Sequence, residues 1–167
     1  MRVLVTGGAG FIGSVTARAL EAAGHEVAVF DDFSTGHDWA SAGKRVFRGD
    51  IRDRVALDKA FGEFRPDAAM HFAAKAVVPE SVTNPGLYYD VNVVGSLRLL
   101  ESMRAAKCRK IVFSSSAAVY GTPVRTPIEE DAPQVPINPY GRTKKILRHF
   151  AARMDSSNRK LPTTLTS

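Results

Sequence analysis

Residues 3–13, Val3-Leu4-Val5-Thr6-Gly7-Gly8-Ala9-Gly10-Phe11-Ile12-Gly13, constrain this chain more than any other stretch. A run of aliphatic and β-branched residues breaks at glycine and resumes with apolar spacing suited to a helix, so the line reads strand, tight turn, helix. That order lets backbone N–H groups approach a pyrophosphate closely, and the helix N-terminus favours its negative charge. The glycines fall at Gly7, Gly10 and Gly13, a spacing that departs from G-x-G-x-x-G, so a dinucleotide reading needs support from the downstream chain. A glycine turn without a ligand would carry the same residues.

The chain order supplies that context. Residues 2–6 read as a strand and 11–23 as a helix, with Ile12, Val15, Thr16, Ala19 and Leu20 at helical spacing and Gly24 as its stop. A second strand over 26–30 ends at Asp31-Asp32, about 20 residues beyond the glycines, where a carboxylate can meet the ribose hydroxyls of a dinucleotide. Asp31 is the candidate, and a carboxylate there repels a 2′-phosphate, which favours NAD over NADP. Residues 33–43 read as a loop, 45–48 as a short third strand, and Asp53 as the cap of a helix over 54–64 whose stripe is Leu57, Ala60, Phe61 and Phe64. Asp58 lies off that stripe and should face solvent.

Residues 67–72 give strand four, followed by Ala73-Ala74-Lys75, small residues that let backbone come close to a ligand, with Lys75 placed for a phosphate or a ribose. Asn84-Pro85 opens a helical stretch to about residue 106, with Val91, Val94, Leu97, Leu100 and Met103 inward and Asn92 one residue off that face. Residues 110–113 are strand five. Strand and helix alternate throughout, the pattern of an α/β fold with a doubly wound, mostly parallel Rossmann-type sheet whose ligands collect at the strands' carboxyl ends. Asp31, Asp50 and Lys75 fall at or just past such ends.

After strand five come Ser114-Ser115-Ser116 and a loop carrying Pro123, Pro127, Pro133, Pro136 and Pro139, which exclude a long helix or central strand there. The loop ends at Tyr140-Gly141-Arg142-Thr143-Lys144, where a helical spacing of four puts a phenol and an ammonium on one face. A free phenol has a pKa near 10, too high for a base at neutral pH, and a neighbouring cation favours the phenolate. Ser116 could hydrogen-bond the same substrate hydroxyl. A surface Tyr/Lys pair and a plain serine turn are the unreactive readings of these residues. His71 and His149 show no partner pattern, and no metal site is expected.

Composition bounds the partners. The net charge is +6, yet residues 1–140 balance 16 Lys+Arg against 16 Asp+Glu, so the excess lies in residues 141–167. That segment has no interleaved aromatic beyond Phe150 and no recognition motif, so nucleic-acid binding is not expected. The single Cys108 cannot close an intramolecular disulfide, the first residues are a strand pattern and not a leader, and charges interrupt every long apolar stretch. The expectation is a soluble, cytoplasmic protein with no membrane partner.

Taken together, Thr6 to Gly13, Gly49-Asp50-Ile51, His71-Phe72-Ala73-Ala74-Lys75, Ser114 to Gly121 and Asn138-Pro139-Tyr140-Gly141 through Lys144 resemble the extended short-chain dehydrogenase/reductase family, within it the nucleotide-sugar 4-epimerases. The resemblance covers about residues 1–144. It implies an NAD cofactor contacted at Phe11, Ile12, Asp31, Asp32, Phe33, Ser34, Thr35, Gly36, Asp50, Ile51, Phe72, Ala73, Ala74, Lys75 and Asn92. It also implies Ser116, Tyr140 and Lys144 as the catalytic trio and a nucleotide-sugar of the UDP-glucose/UDP-galactose class as substrate. Related 4,6-dehydratases carry an Asp-Glu pair where this chain has Ala117-Ala118, which favours epimerisation over dehydration.

Two departures accompany the resemblance. Family members run well beyond this length, so the sheet is expected to lack its last strands and the C-terminal substrate domain. Residues 1–154 then form an incomplete NAD-binding domain and 155–167 a polar basic tail, as in a truncated or frame-altered product. A family glutamate near position 148 is Arg148, and Ile146, Leu147, Phe150, Ala151 and Met154 continue an apolar stripe after Lys144. The readings that stay open are an epimerase-type enzyme, another extended short-chain enzyme acting on a nucleotide-sugar, an NAD-binding fragment without turnover, and, weakest, a nucleic-acid role for the tail. A homodimer is compatible with the resemblance.

Overall fold

A computed structural model describes residues 1–154. Five strands, β1 (Arg2–Thr6), β2 (Glu26–Asp31), β3 (Arg45–Arg48), β4 (Ala68–His71) and β5 (Lys110–Phe113), form one parallel sheet in the order β3-β2-β1-β4-β5. The first strand therefore lies at the centre, and the chain winds outward from it in both directions. Right-handed crossovers then place α1 (Phe11–Ala22) on one face, and α2 (Arg54–Phe64) with α5 (Ser96–Ala105) on the other. Packing of α2 against α5 agrees with this.

The strands follow from their sequence. β1 and β2 are near-continuous aliphatic runs, buried from Val3 to Thr6 and from Val27 to Asp31, as strands covered on both faces must be. β3 is an edge strand bearing Arg45 and Arg48, which pair with Glu63 and Asp38. Asp53 caps α2 by accepting the Val55 and Ala56 N–H groups, and Leu57, Ala60, Phe61 and Phe64 are all buried while Asp58 is exposed and paired with Arg54. Gly24 ends α1 with φ +81, a conformation that costs a β-carbon-bearing residue.

Two expected helix faces are corrected. In α1 the buried residues are Gly13, Ser14 and Ala17, whereas Ile12, Val15 and Ala19 are exposed and Thr16 and Leu20 only half-buried. The helix comes so close to the turn that a β-carbon on Gly13 would lie 2.1 Å from the Gly7 carbonyl oxygen, so small residues face inward and larger ones cannot. The helix expected over 84–106 is instead α4 (Pro85–Tyr88), a π-helical segment (Tyr89–Gly95) and then α5. The wider π turn shifts the face: Val94 is exposed, while Asn92, Ser96, Leu99, Leu100 and Met103 are buried.

The described residues group into two compact units. The first comprises residues 1–74 and 94–113 and holds the whole sheet with α1, α2 and α5. The second comprises 75–93 and, among the described residues, 114–154. There α3 (Val78–Thr83) and α4 pack against α6 (Pro139–Met154), as does a 3-10 turn at Ala117–Val119. No sequence signal marks α3. Ile146 and Phe150 are half-buried and Leu147 is buried. The side chains of Ala151 and Met154, and the stretch 155–167 read as a polar tail, lie outside the described residues. Among the described residues no helix is long and apolar enough to cross a membrane.

Candidate functional site

The glycine turn of the first unit is shaped by contacts that exclude side chains. Gly7 has φ +72, and a β-carbon there would sit 2.5 Å from the Ala73 backbone nitrogen. Gly10 differs. Its β-carbon would meet only the Gly7 carbonyl oxygen, at 3.3 Å, and otherwise point into open space. Gly7 and Gly13 are therefore packing glycines, and Gly10 is the one that keeps a surface open to a ligand. Gly10 caps α1 without a side-chain hydrogen bond, and no acidic residue stands in the helix's first turn. Phe11 is 86% exposed and Ile12 is also exposed, apolar groups presented beside it.

Asp31 closes this cradle from β2. Its carboxylate is buried and accepts the Ala9 N–H at 2.9 Å on one oxygen and the Phe33 N–H at 2.8 Å on the other, tying the glycine turn to the loop after β2. Asp32 is exposed and caps the Ser34 N–H. Gly36 lies against Ala9, whose carbonyl accepts the His37 N–H, so the loop from Phe33 through Thr35 and Gly36 runs beside the turn. Asp50 follows β3 and is held by the Arg52 guanidinium, and Ile51 is buried against Gly95. Phe72, Ala73 and Ala74 follow β4, with the Phe72 and Ala73 N–H groups both donated to Thr6 O. A helix start without a side-chain cap, an open glycine and a fixed carboxylate fit a dinucleotide's pyrophosphate and ribose. His71, expected to lack partners, is in fact buried and hydrogen-bonded on both ring nitrogens, to Thr6 and to Ser96. Among the described residues no cluster of His, Cys, Asp and Glu could hold a metal ion.

The second unit holds the expected hydroxyl, phenol and amine, with Tyr140 and Lys144 one turn apart on α6. Pro139 starts α6, where its missing N–H and fixed φ are suited, and Asn138 accepts the Gly141 N–H. A β-carbon on Gly141 would lie 2.4 Å from the Ala118 carbonyl, so α6 sits directly on the turn that follows Ser116. Ser116 caps that turn by accepting the Ala118 N–H at 3.2 Å. Lys144 is buried; its Nζ donates to Ser114 O at 2.9 Å and lies 5.8 Å from the Tyr140 ring centroid. Burial pushes the Lys144 amine down to about 8. It remains mostly cationic at neutral pH.

Tyr140 is half-buried, and its ring meets the edge of Tyr88 at 6.4 Å. Tyr88 is fully buried, with its hydroxyl held among the Val77 N–H, the Val77 carbonyl and Glu80. Burial, then Glu80, pushes that phenol up to about 12, so it stays protonated and acts as a fixed wall. Asn92 is fully buried: it accepts the Lys75 N–H, donates to Lys75 O and to Thr143 Oγ1, and Thr143 donates to Tyr140 O. Asn92 thus fixes the Lys75 backbone against α6, a role that helical spacing could not reveal because the π turn alone brings it inward. Arg148, where a glutamate was expected, lies 3.4 Å from the Tyr120 hydroxyl.

The buried Lys144 amine has a pH consequence. In the unfolded chain its pKa is the ordinary lysine value, so between about pH 8 and 10.5 the unfolded state binds more protons than the folded one, and stability rises with pH. The penalty of burying the cation is fully present below about pH 8, on the order of 3 kcal/mol, and is relieved across that window. Urea unfolding of the wild type and Lys144→Met at pH 7.5 and 10 should show a pH-dependent gap that narrows at the higher pH. A constant gap would mean that Lys144 titrates normally.

Comparison with known proteins agrees with the fold. A profile of the NAD dependent epimerase/dehydratase family matches residues 3–166. The UDP-glucose 4-epimerase of Lactobacillus helveticus is 47% identical over 159 residues, covering 95% of this chain and 48% of that protein. The enzyme of the same name from Azospirillum brasilense is 51% identical, covering 86% and 41%. Among solved structures, UDP-glucose 4-epimerase from Brucella ovis in complex with NAD has a TM-score of 0.90 at 46% identity, covering 93% of this chain and 48% of that one. The chain spans about half the length of the relatives it matches. It belongs to the NAD dependent epimerase/dehydratase family.

Proposed function

We propose that this chain carries the NAD-binding and proton-transfer residues of a nucleotide-sugar 4-epimerase that interconverts UDP-glucose and UDP-galactose. The observation that carries the reading is the buried Lys144 amine anchored on Ser114 O and facing the Tyr140 ring from one turn along α6. Gly10 and the start of α1 would hold the pyrophosphate, Asp31 the adenosine ribose, and Phe11 and Ile12 would cover the dinucleotide. Bound there, NAD supplies a hydride acceptor and donor for C4 of the sugar. Tyr140 removes and returns the proton of the C4 hydroxyl, Lys144 holds the positive charge that favours the phenolate, and Ser116 positions the same hydroxyl. Relatives crystallised with UDP-glucose, from Thermotoga maritima, and with NAD+ and UDP, from Bifidobacterium longum, support this substrate class.

Incubation of the NAD-loaded chain with UDP-galactose, with UDP-glucose followed by chromatography, tests turnover. NAD binding is measured separately by mass spectrometry of the native protein. Conversion is the expected result; binding without conversion supports the second reading, a dinucleotide-binding chain without turnover, and absence of binding overturns both. Asp31 provides a further expectation. Asp31→Ser removes the acceptor for two N–H groups and the charge that opposes a 2′-phosphate, so NADH affinity should fall by about tenfold and the preference over NADPH should narrow. Fluorescence titration with both cofactors reads this, and an unchanged preference would show that Asp31 does not face the ribose.

A further inference from the structure

We propose that Arg48 and Asp38 set how sharply this chain separates NAD from NADP: the Arg48 guanidinium is a latent partner for a 2′-phosphate beside Asp31, and Asp38 keeps it engaged. Asp31 and Arg48 are register partners at the ends of β2 and β3. Partners on neighbouring parallel strands send their side chains to the same face, so a carboxylate and a guanidinium leave the sheet side by side. The backbone is fixed at this point. The Gly49 N–H donates to Asp31 O at 3.0 Å, and a β-carbon on Gly49 would lie 2.9 Å from Phe30 Cζ. The direction of the long Arg48 side chain is what can change.

Two contacts set that direction. The guanidinium lies 3.9 Å from the centroid of the Phe33 ring, and Arg48 Nη2 is 2.6 Å from Asp38 Oδ1. Phe33 has φ +60, a left-handed conformation that is costly for a bulky residue, and its N–H donates to Asp31 Oδ1 at 2.8 Å. The ring that carries the guanidinium is therefore anchored on the carboxylate assigned to the ribose. The Arg48 and Asp38 side chains are 60% and 81% exposed, and an ion pair so open to water is weak. A phosphate, which takes two parallel N–H bonds from one guanidinium, competes with it well. Arg52, the other guanidinium after β3, is already held by Asp50 through Nε and Nη2, which leaves Arg48 for this role. A dinucleotide with a free 2′-hydroxyl leaves the Arg48–Asp38 pair in place. A 2′-phosphate is repelled by Asp31, attracted by Arg48, and denied part of that attraction by Asp38.

The proposal rests on the reading of this end of the sheet as the adenosine ribose site, and the experiment separates the two. NADH and NADPH are titrated by fluorescence into the full chain and into Asp38→Asn, Asp38→Asn/Arg48→Gln, Asp31→Ser and Asp31→Ser/Arg48→Gln. Asp38 and Arg48 are both exposed, so their substitution leaves the core alone, and thermal unfolding checks that each variant is folded. Asp38→Asn should tighten NADPH relative to NADH by about fivefold, and adding Arg48→Gln should abolish the gain. In the Asp31→Ser background Arg48→Gln should weaken NADPH by about tenfold and leave NADH within about twofold. A gain in Asp38→Asn that survives Arg48→Gln comes from the lost negative charge alone and overturns the proposal. So does an NADPH affinity in Asp31→Ser that is indifferent to Arg48. If Asp31→Ser leaves the preference unchanged while the Asp38→Asn gain still requires Arg48, the ribose role of Asp31 falls and that of Arg48 stands. NADH binding with a ratio unmoved in the Asp38 and Arg48 variants overturns the proposal and spares the dinucleotide reading; binding of neither cofactor by any form overturns both.

Discussion

Gly13→Ala should destabilise the protein by about 3 kcal/mol and abolish dinucleotide binding, although alanine is the better helix former. The β-carbon would lie 2.1 Å from the Gly7 oxygen, 2.8 Å from the Gly7 carbonyl carbon and 2.9 Å from the Gly8 α-carbon, all of them backbone. No rotamer change relieves such a contact; α1 must move away from the turn. Overpacking of this kind costs about 1–3 kcal/mol and occasionally more, against a gain of about 1 kcal/mol in helix propensity. Gly62→Ala is the control. Gly62 lies inside α2 with nothing within 4 Å of where its β-carbon would be, so the same substitution should stabilise by up to about 1 kcal/mol. Thermal unfolding of the two variants should move in opposite directions, with Gly13→Ala lower by roughly 10 °C. Equal shifts would mean that the turn yields easily and that its tightness has no part in holding α1.

The contrast between these two glycines also marks what sequence reading could and could not see. Strands β1, β2 and β3, the cap at Asp53 and the Leu57 to Phe64 face are legible because local pattern and burial agree there. Asp31 and the Tyr140/Lys144 pair were legible from position, since strand ends and a helical spacing of four place them without tertiary knowledge. The faces of α1 and α5 were misread for different reasons. In α1, backbone proximity decided the buried face, and only small residues satisfy it, so the larger apolar residues mislead. Before α5, a π-helical segment changes the period that the stripe assumed, moving Asn92 inward and Val94 outward. His71 and Tyr88 were missed because their partners lie on other segments: Thr6 and Ser96 for the first, Val77, Glu80 and Tyr140 for the second. No periodicity encodes those contacts.

Tyr140→Phe should remove turnover by a factor of about 10²–10⁴ while leaving the fold intact. The ring's neighbours explain why the two effects separate. Its edge contact with Tyr88, the Lys144 amine beside it and the Thr143 bond to its backbone carbonyl all survive loss of the hydroxyl. Tm should therefore change by little, and NADH affinity should stay close to the wild-type value, because the hydroxyl is assigned to the sugar and not to the cofactor. The lost rate corresponds to about 3–5 kcal/mol of transition-state stabilisation, more than an ordinary hydrogen bond supplies, because the phenol is the only assigned acceptor for the C4 proton. Lys144→Met tests the same pair from the other side: the phenol is retained without the amine beside its ring, so conversion should fall although the hydroxyl is still present. Conversion by Tyr140→Phe at more than about a tenth of the wild-type rate would transfer the proton role to another group. Ser116, the remaining hydroxyl of the trio, would then be the first residue to replace.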